Sequence, residues 1–275
     1  MLGVVEAFYC IVDDLLKGIG HQEDSRRRVS DAEVITTALV AARFLGGNHA
    51  NSRDYMLEHG LIPQMLSDSR FNRRLHAIAD LLYTLQHQLG QVWMQLNEES
   101  EYLLDSFPVP VCDNIRIGKS KLLSGEDYRG YIASKKRYFY GIRIHLIADK
   151  DGIPVEWVFL PGEANDVRGF HALPLNLPPG SELYVDKGYT DYQAEDNMAE
   201  ADEIYLMALR KRNSVRADSP CWVYIKQTTR HFIETVFSQM TLRFPKTIHA
   251  VTFEGFLLKV SCFVWAYGLE RAFIN

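Results

Sequence analysis

The chain has no apolar run of the ~18 to 20 residues that a membrane-spanning helix requires, so a bilayer-spanning protein is not expected. Its opening, MLGVVEAFYCIVDDLL, lacks a basic stretch ahead of the apolar residues and a small-residue cleavage site, which points away from export and toward the cytoplasm. Cysteine is scarce. The four present (Cys10, Cys112, Cys221, Cys262) lie far apart, with no C-x-x-C pair and no neighbouring pair of histidines. Neither a zinc site nor a disulfide framework is expected, and buried free thiols are. A basic excess is lacking too: the net charge of -5 argues, taken whole, against a nucleic-acid partner. What is there is ordinary for a globular protein, with 47% hydrophobic and 24% charged residues over 275 positions. That length suits one large domain or a main domain with a smaller one.

The average charge conceals a pattern. Residues 116–143 carry eight bases (Arg116, Lys119, Lys121, Arg129, Lys135, Lys136, Arg137, Arg143) against two acids (Glu126, Asp127), a local charge of +6. A second knot holds Arg210, Lys211, Arg212 and Arg216. Phosphate binding depends on local rather than total charge. Each run alone reads equally as a solvated loop, but both flank the candidate site described next, which favours a path for a polyanion.

Residues 4–97 read as helices. VVEAFYCIVDDLLKGIG has apolar residues at helical spacing and ends in glycine, and Ser30 with Glu33 stands at capping-box spacing before a helix that stops at Gly46 and Gly47. Further helices are expected over 52–59 and 67–96, the latter broken near Arg74. This unit has helix-turn-helix proportions and would suit DNA binding or dimerisation. It offers Arg26, Arg27, Arg28, Arg70, Arg73 and Arg74 to phosphates, although it is net acidic.

From Glu101 the period changes. YLLDSFPVPVC is strand-like, its prolines placing it at a sheet edge or ending it early. RYFYGIRIHLIADKDGIPVEWVFLPG reads as a hairpin through Asp151-Gly152. A short helix capped by Asn165 or Asp166, a strand SELYVDKG, a helix, a strand EIYLMALRK, a helix over TTRHFIETVFSQMTLRF and a last apolar helix over 253–273 follow. The reading is α/β: a mixed sheet covered by helices, residues 99–275, after an all-α unit of residues 1–98.

Three acids fall where such a sheet would gather them: Asp105 in the first strand, Asp186 at the tip of LYV, and Glu234 on the following long helix. On a wheel of about 100° per residue, Ile233, Val236, Phe237 and Met240 make the apolar face, and Glu234 lies at its edge beside Arg230. Clustered inward carboxylates repel one another, and a divalent cation is the usual remedy, with hard oxygen ligands suiting Mg²⁺ or Mn²⁺. Each acid also has a plainer reading: Glu234 as a surface pair with Arg230, Asp186 as a cap for the helix that begins near Thr190.

The residues LLDSFPV, YFYGIRIHLI, LPGEANDVRGF, LYVDKGY and RHFIET, in this order and spacing, resemble bacterial insertion-sequence transposases of the DDE class. The resemblance covers roughly residues 101–241. It implies a ribonuclease-H-like catalytic core in which Asp105, Asp186 and Glu234 hold two Mg²⁺ or Mn²⁺ ions, with no large insertion between Asp186 and Glu234. It implies water and then a liberated 3′-hydroxyl as nucleophiles. The partner would be double-stranded DNA, terminal inverted repeats and target, bound by a homo-oligomer in the bacterial cytoplasm at the nucleoid.

Lys135, Lys136, Arg137, Lys187, Arg210, Lys211, Arg212 and Arg230 are the expected DNA contacts. Asp166 is expected to cap its helix, a ligand role being the alternative; His145 reads as a core histidine that could face the site; Tyr189 and Trp222 could stack on an unpaired base or pack in the core. Many relatives with Arg-x-x-x-Glu also carry a Tyr three residues before the Arg and a Lys seven after the Glu, where this chain has Gln227 and Thr241, a departure that bears on the helix's contacts to terminal DNA and not on the metal cage. The same residues would fit a ribonuclease-H-like nuclease without strand transfer, or a DNA-binding protein that has kept the fold and lost catalysis.

Overall fold

The computed structural model describes residues 1–112, 117 and 120–273; Arg116 and Lys119 of the basic run lie outside the described residues. The chain divides into two units, Met1–Leu89 with Met240–Asn275, and Gly90–Gln239. No helix among the described residues is long and apolar enough to cross a membrane.

The first unit holds α1 (Leu2–Gly18), α2 (Asp31–Phe44), α3 (His49–Glu58), α4 (Asp68–Ala77), the first part of α5 (Ala79–Leu96), the last turn of α8 (Pro220–Leu242) and α9 (Phe253–Phe273). Its centre is α2, which the expected capping box starts: Ser30 Oγ accepts from Glu33 N at 3.1 Å, and Glu33 Oε2 accepts from Ser30 N at 2.6 Å. Gly46 and Gly47 end it with φ of 57° and 76°, the left-handed region in which glycine costs least. Against α2 packs α9, apolar around nearly its whole circumference and buried from Phe256 to Leu269 apart from Leu257 and Lys259. Such a helix belongs to a core rather than to a surface. That explains why the C-terminal segment groups with the N-terminal helices instead of with the sheet, as the expected division at residue 98 had it. Glu270 on α9 pairs with Arg43 and, at 3.1 Å, with Arg243.

The second unit is a six-stranded mixed sheet: β1 (Glu101–Cys112), β2 (Arg129–Ile132), β3 (Arg137–Asp149), β4 (Pro154–Pro161), β5 (Glu182–Val185) and β6 (Tyr205–Ala208). The order is β2-β3-β1-β5-β6, with β4 also paired to β3. β1, β3 and β4 run antiparallel in turn, while β5 and β6 run parallel to β1. This is the ribonuclease-H-like arrangement. The Asp-Gly hairpin forms as expected: Gly152 takes φ 77°, and Asp149 Oδ1 accepts from Asp151 N at 2.9 Å and Ile153 N at 2.8 Å.

Two expectations change. β1 is central, not an edge, despite Pro108 and Pro110. Its ladder with β5 ends at Leu104, before either proline, so the missing donors fall where β1 has no neighbour on that side. Nor are the thiols uniformly buried: only Cys262 is buried, while Cys10 and Cys221 are exposed.

Successive side chains of β1 point to opposite faces. Phe107 packs against Phe237 of α8, ring centroids 5.2 Å apart, whereas Ser106 hydrogen-bonds Asp166 of α6 (Asp166–Ala172). The sheet is therefore flanked by α8 on one face and α6 on the other.

Candidate active site

The last registered pair between β1 and β5 is Leu104 opposite Val185. Immediately beyond it the chain carries Asp105 on one strand and Asp186 on the other. β1 faces an antiparallel neighbour on one side and a parallel one on the other, so the crevice opens at a switch of strand direction, where open α/β sheets place their ligands. Asp105 is half-buried and accepts from Ser106 N at 2.7 Å. Asp186 caps the 3₁₀ turn Lys187–Tyr189, accepting from Lys187 N at 2.6 Å. It does not cap α7 (Tyr192–Ala201), which Asp191 caps instead.

α8 brings the third acid. Ile233, Val236, Phe237 and Met240 are buried and Glu234 is exposed beside them. Arg230 Nε pairs with Glu234 Oε1 at 3.1 Å, and the same guanidinium pairs through Nη1 with Asp186. Asp105, Asp186, Arg230 and Glu234 are thus one assembly. The i, i+4 pair expected of a plain surface helix is present, but it extends across to the strand tip.

A fourth carboxylate joins it. Asn165, not Asp166, caps α6, accepting from Arg168 N at 2.8 Å. Asp166 is left to accept from Ser106 Oγ at 3.1 Å, and its Oδ2 sits only 2.2 Å from where a Cβ on Gly188 would stand. Ser106 also accepts from Arg143 Nη1 at 3.3 Å. Behind this lie buried His145 and Tyr189, joined Nδ1 to OH at 3.1 Å, with Gly169 packed so closely that a Cβ would fall 2.0 Å from the imidazole. His145 is a core histidine: burial, then the charge of Arg143, pushes it down to about 4, so it is neutral near pH 7. Tyr189 is fully buried and offers no ring to a base, whereas Trp222 is 42% exposed.

Burial pushes the Asp105 carboxyl up to about 7. Its hydrogen bond from Ser106 and the charge of Arg230 pull it down, while Asp166 and Asp186 push it up. The acids of this cluster, Asp105, Asp166, Asp186 and Glu234, outnumber the arginine beside them, Arg230. The donors are all hard oxygens, and the one cation between them, Arg230, already spans Asp186 and Glu234. Hard oxygen donors are the chemistry that suits a divalent cation such as Mg²⁺ or Mn²⁺, although no three of these acids have ligand atoms within 4.8 Å of one another.

Among the described residues, a different trio, His21, Glu23 and Asp31, has ligand atoms within 4.8 Å of one another. Asp31 there accepts from His21 at 2.9 Å, from Arg27 at 2.9 Å and from Arg74 at 2.9 and 2.6 Å. Two guanidiniums already neutralise it, and the trio is an internal ion-pair knot. It also takes Arg27 and Arg74 out of the set offered to phosphates, and Arg26 pairs with Asp24. Arg28, Arg70 and Arg73 are exposed.

The expected DNA contacts divide similarly. Lys135, Lys136 and Arg137 are exposed at the turn joining β2 to β3, and Lys187, Lys211 and Arg212 are exposed as well. Arg210 is not: its side chain is 10% exposed and forks onto Glu195. Arg216 is held by Asp196 at 2.7 Å. These two arginines fasten the β6 end to α7, their charge spent inside the fold.

Residues 97–249, more than half of the chain, match the sequence profile of a family described as "Transposase DDE domain". A curated relative, "Transposase for insertion sequence element IS1106" of Neisseria meningitidis serogroup B, is 22% identical over 182 residues, 61% of this chain and 62% of the relative. The match thus spans less than two thirds of that relative's length. No solved structure matches.

Proposed function

The chain belongs to the transposase DDE-domain family, and on that footing we propose that it is a metal-dependent DNA transposase that cuts at the ends of an insertion sequence and joins the freed end to target DNA. The observation that carries this reading is the convergence of Asp105, Asp186 and Glu234 at the carboxyl end of β5, with Arg230 between the last two.

Asp105, Asp186 and Glu234 would hold the cations, two by analogy with the family. Bound there, they supply an activated attacking oxygen and a stabilised leaving oxygen for in-line displacement at phosphorus. The strand tip positions Asp105 and Asp186 rigidly, because each follows a hydrogen-bonded ladder residue. Glu234 approaches from a helix whose apolar face is anchored on the sheet through Phe237 and Phe107. Arg230, released from the carboxylates as their charge is met, would turn its fork to a phosphate oxygen. The exposed Lys135, Lys136, Arg137, Lys187, Lys211 and Arg212 would track the backbone, and the helical unit would bind ends or pair protomers into the homo-oligomer that holds two ends. The reaction exchanges one phosphodiester for another and needs no nucleotide cofactor.

The test is incubation of the purified chain with a labelled duplex carrying the element's ends, in Mg²⁺, in Mn²⁺ and in EDTA. Metal-dependent cleavage that leaves a 3′-hydroxyl able to join a second duplex is expected. Cleavage without joining would make the protein a nuclease. Binding without cleavage in either metal would make it a DNA-binding protein on a relic site.

A further inference from the structure

We propose that the hairpin of β2 and the start of β3 is a stacking platform for an unpaired nucleobase of the DNA strand held at the carboxylates, with Tyr131 and Tyr138 as its aromatic surface. The inference rests on the transposase reading and adds to it a specific contact with single-stranded DNA.

Tyr131 and Tyr138 are directly opposite in the β2–β3 register, so both rings stand on one face of the hairpin. Their centroids are 4.9 Å apart at 53°, and they are 46% and 49% exposed. The tyrosines with structural work are placed differently: Tyr102, Tyr140 and Tyr189 are all 2% exposed or less. The guanidinium of Arg129 lies 5.1 Å from the Tyr138 ring centre and 3.7 Å from the exposed Glu126, which places a cation at the same surface. Between residues 129 and 137 there are four bases, Arg129, Lys135, Lys136 and Arg137, and no acid.

Position supplies the rest. Arg143 donates through Nη2 to the carbonyl of Tyr131 and through Nη1 to Ser106 Oγ, each at 3.3 Å, and Ser106 donates to Asp166 at 3.1 Å. One arginine therefore spans the distance from the tyrosine backbone to the carboxylate assembly. Aromatic faces flanked by cations are how proteins hold single strands without reading their sequence. In an intact duplex the base faces are covered by their neighbours, so the ligand is an unpaired base beside the cleavage position.

The experiment uses the full chain in EDTA, so that no strand is cut, with end duplexes that are blunt or carry a short unpaired segment containing 2-aminopurine. Quenching of the 2-aminopurine on binding is expected, with tighter binding to the unpaired substrate than to the blunt one. The Tyr131→Ile/Tyr138→Ile variant, whose β-branched side chains suit the strands, should lose about 10-fold affinity for the unpaired substrate alone. The Tyr131→Phe/Tyr138→Phe variant should keep it. An abasic unpaired segment offered to the unaltered chain should weaken binding by the same factor, which tests the idea without any substitution. Equal affinity of the unaltered chain for abasic and base-bearing segments would overturn the platform while leaving the transposase reading intact. Failure to bind the blunt ends at all would instead overturn that reading, and the platform with it.

Discussion

Asp105 and Asp186 stand side by side one residue past the end of the β1–β5 ladder, and Asp186 helps to raise the pKa of Asp105. A carboxyl whose ionisation is hindered first by burial and then by neighbouring acids gains nothing for the fold. The two acids make sense where a cation arrives to share them.

Substitution of Asp105, Asp186 or Glu234 by Ala should reduce metal-dependent strand cleavage by at least ~10² in each case. Binding of the end duplex in EDTA should be nearly unchanged, because these side chains oppose the phosphate charge. Retained cleavage in any one variant would remove that residue from the set.

The metal-free protein should lose stability as pH rises through the neutral range. The folded state holds the Asp105 proton up to about pH 7, whereas an ordinary aspartyl group in the unfolded chain loses it near 3.8. The folded state therefore binds more protons between these values, and stability falls from about pH 4 to 7 and is level above. For a half-buried group the effect is on the order of 1 to 2 kcal/mol. Asp105→Asn should abolish this slope and leave the variant the more stable of the two at pH 8. Thermal melts of both chains across pH 4 to 8 would show it, and equal slopes would contradict it.

Gly169→Ala should destabilise the sheet unit by about 1–3 kcal/mol, since the new methyl would meet the buried His145 ring. Gly188→Ala is different. Its methyl would displace the carboxylate of Asp166 beside the three acids, so it should lower metal affinity more, and melting temperature less, than Gly169→Ala does. Titration and melting of both variants separate the two effects.

Neutralising Lys135, Lys136 and Arg137 should flatten the salt dependence of DNA binding by about 0.9 in log–log slope for each phosphate no longer neutralised. Arg210→Ala should leave that slope alone and lower the melting temperature, because Arg210 serves Glu195. An unchanged slope in the first variant would make the turn a solvated loop.

Much of this was legible in the sequence where a local signal is also the structural cause: the Ser30–Glu33 box, the Asp-Gly hairpin, the acid that stops a buried strand at Val185. The wheel around Glu234 was enough to set it at the edge of a buried face. What stayed hidden depended on partners distant in sequence. Arg210 and Arg216 looked like a basic knot because their acids, Glu195 and Asp196, lie 15 and 20 residues earlier. Asp166 was masked by Asn165, which does the capping that either could do. The strand β2 has four residues and too little apolar pattern to register, and with it went the exposed tyrosine pair. α9 is apolar all round, so no stripe indicated which unit it would join.

Calorimetric titration of the unaltered chain with Mn²⁺, beside Asp105→Asn, Asp186→Asn and Glu234→Gln, measures whether these three acids hold a divalent cation. Saturable binding is expected, weakened at least ~10-fold by each of the three substitutions and unchanged by His21→Ala. Binding that survives all three and disappears with His21→Ala would place the metal at the Asp31 knot and leave the three acids without one.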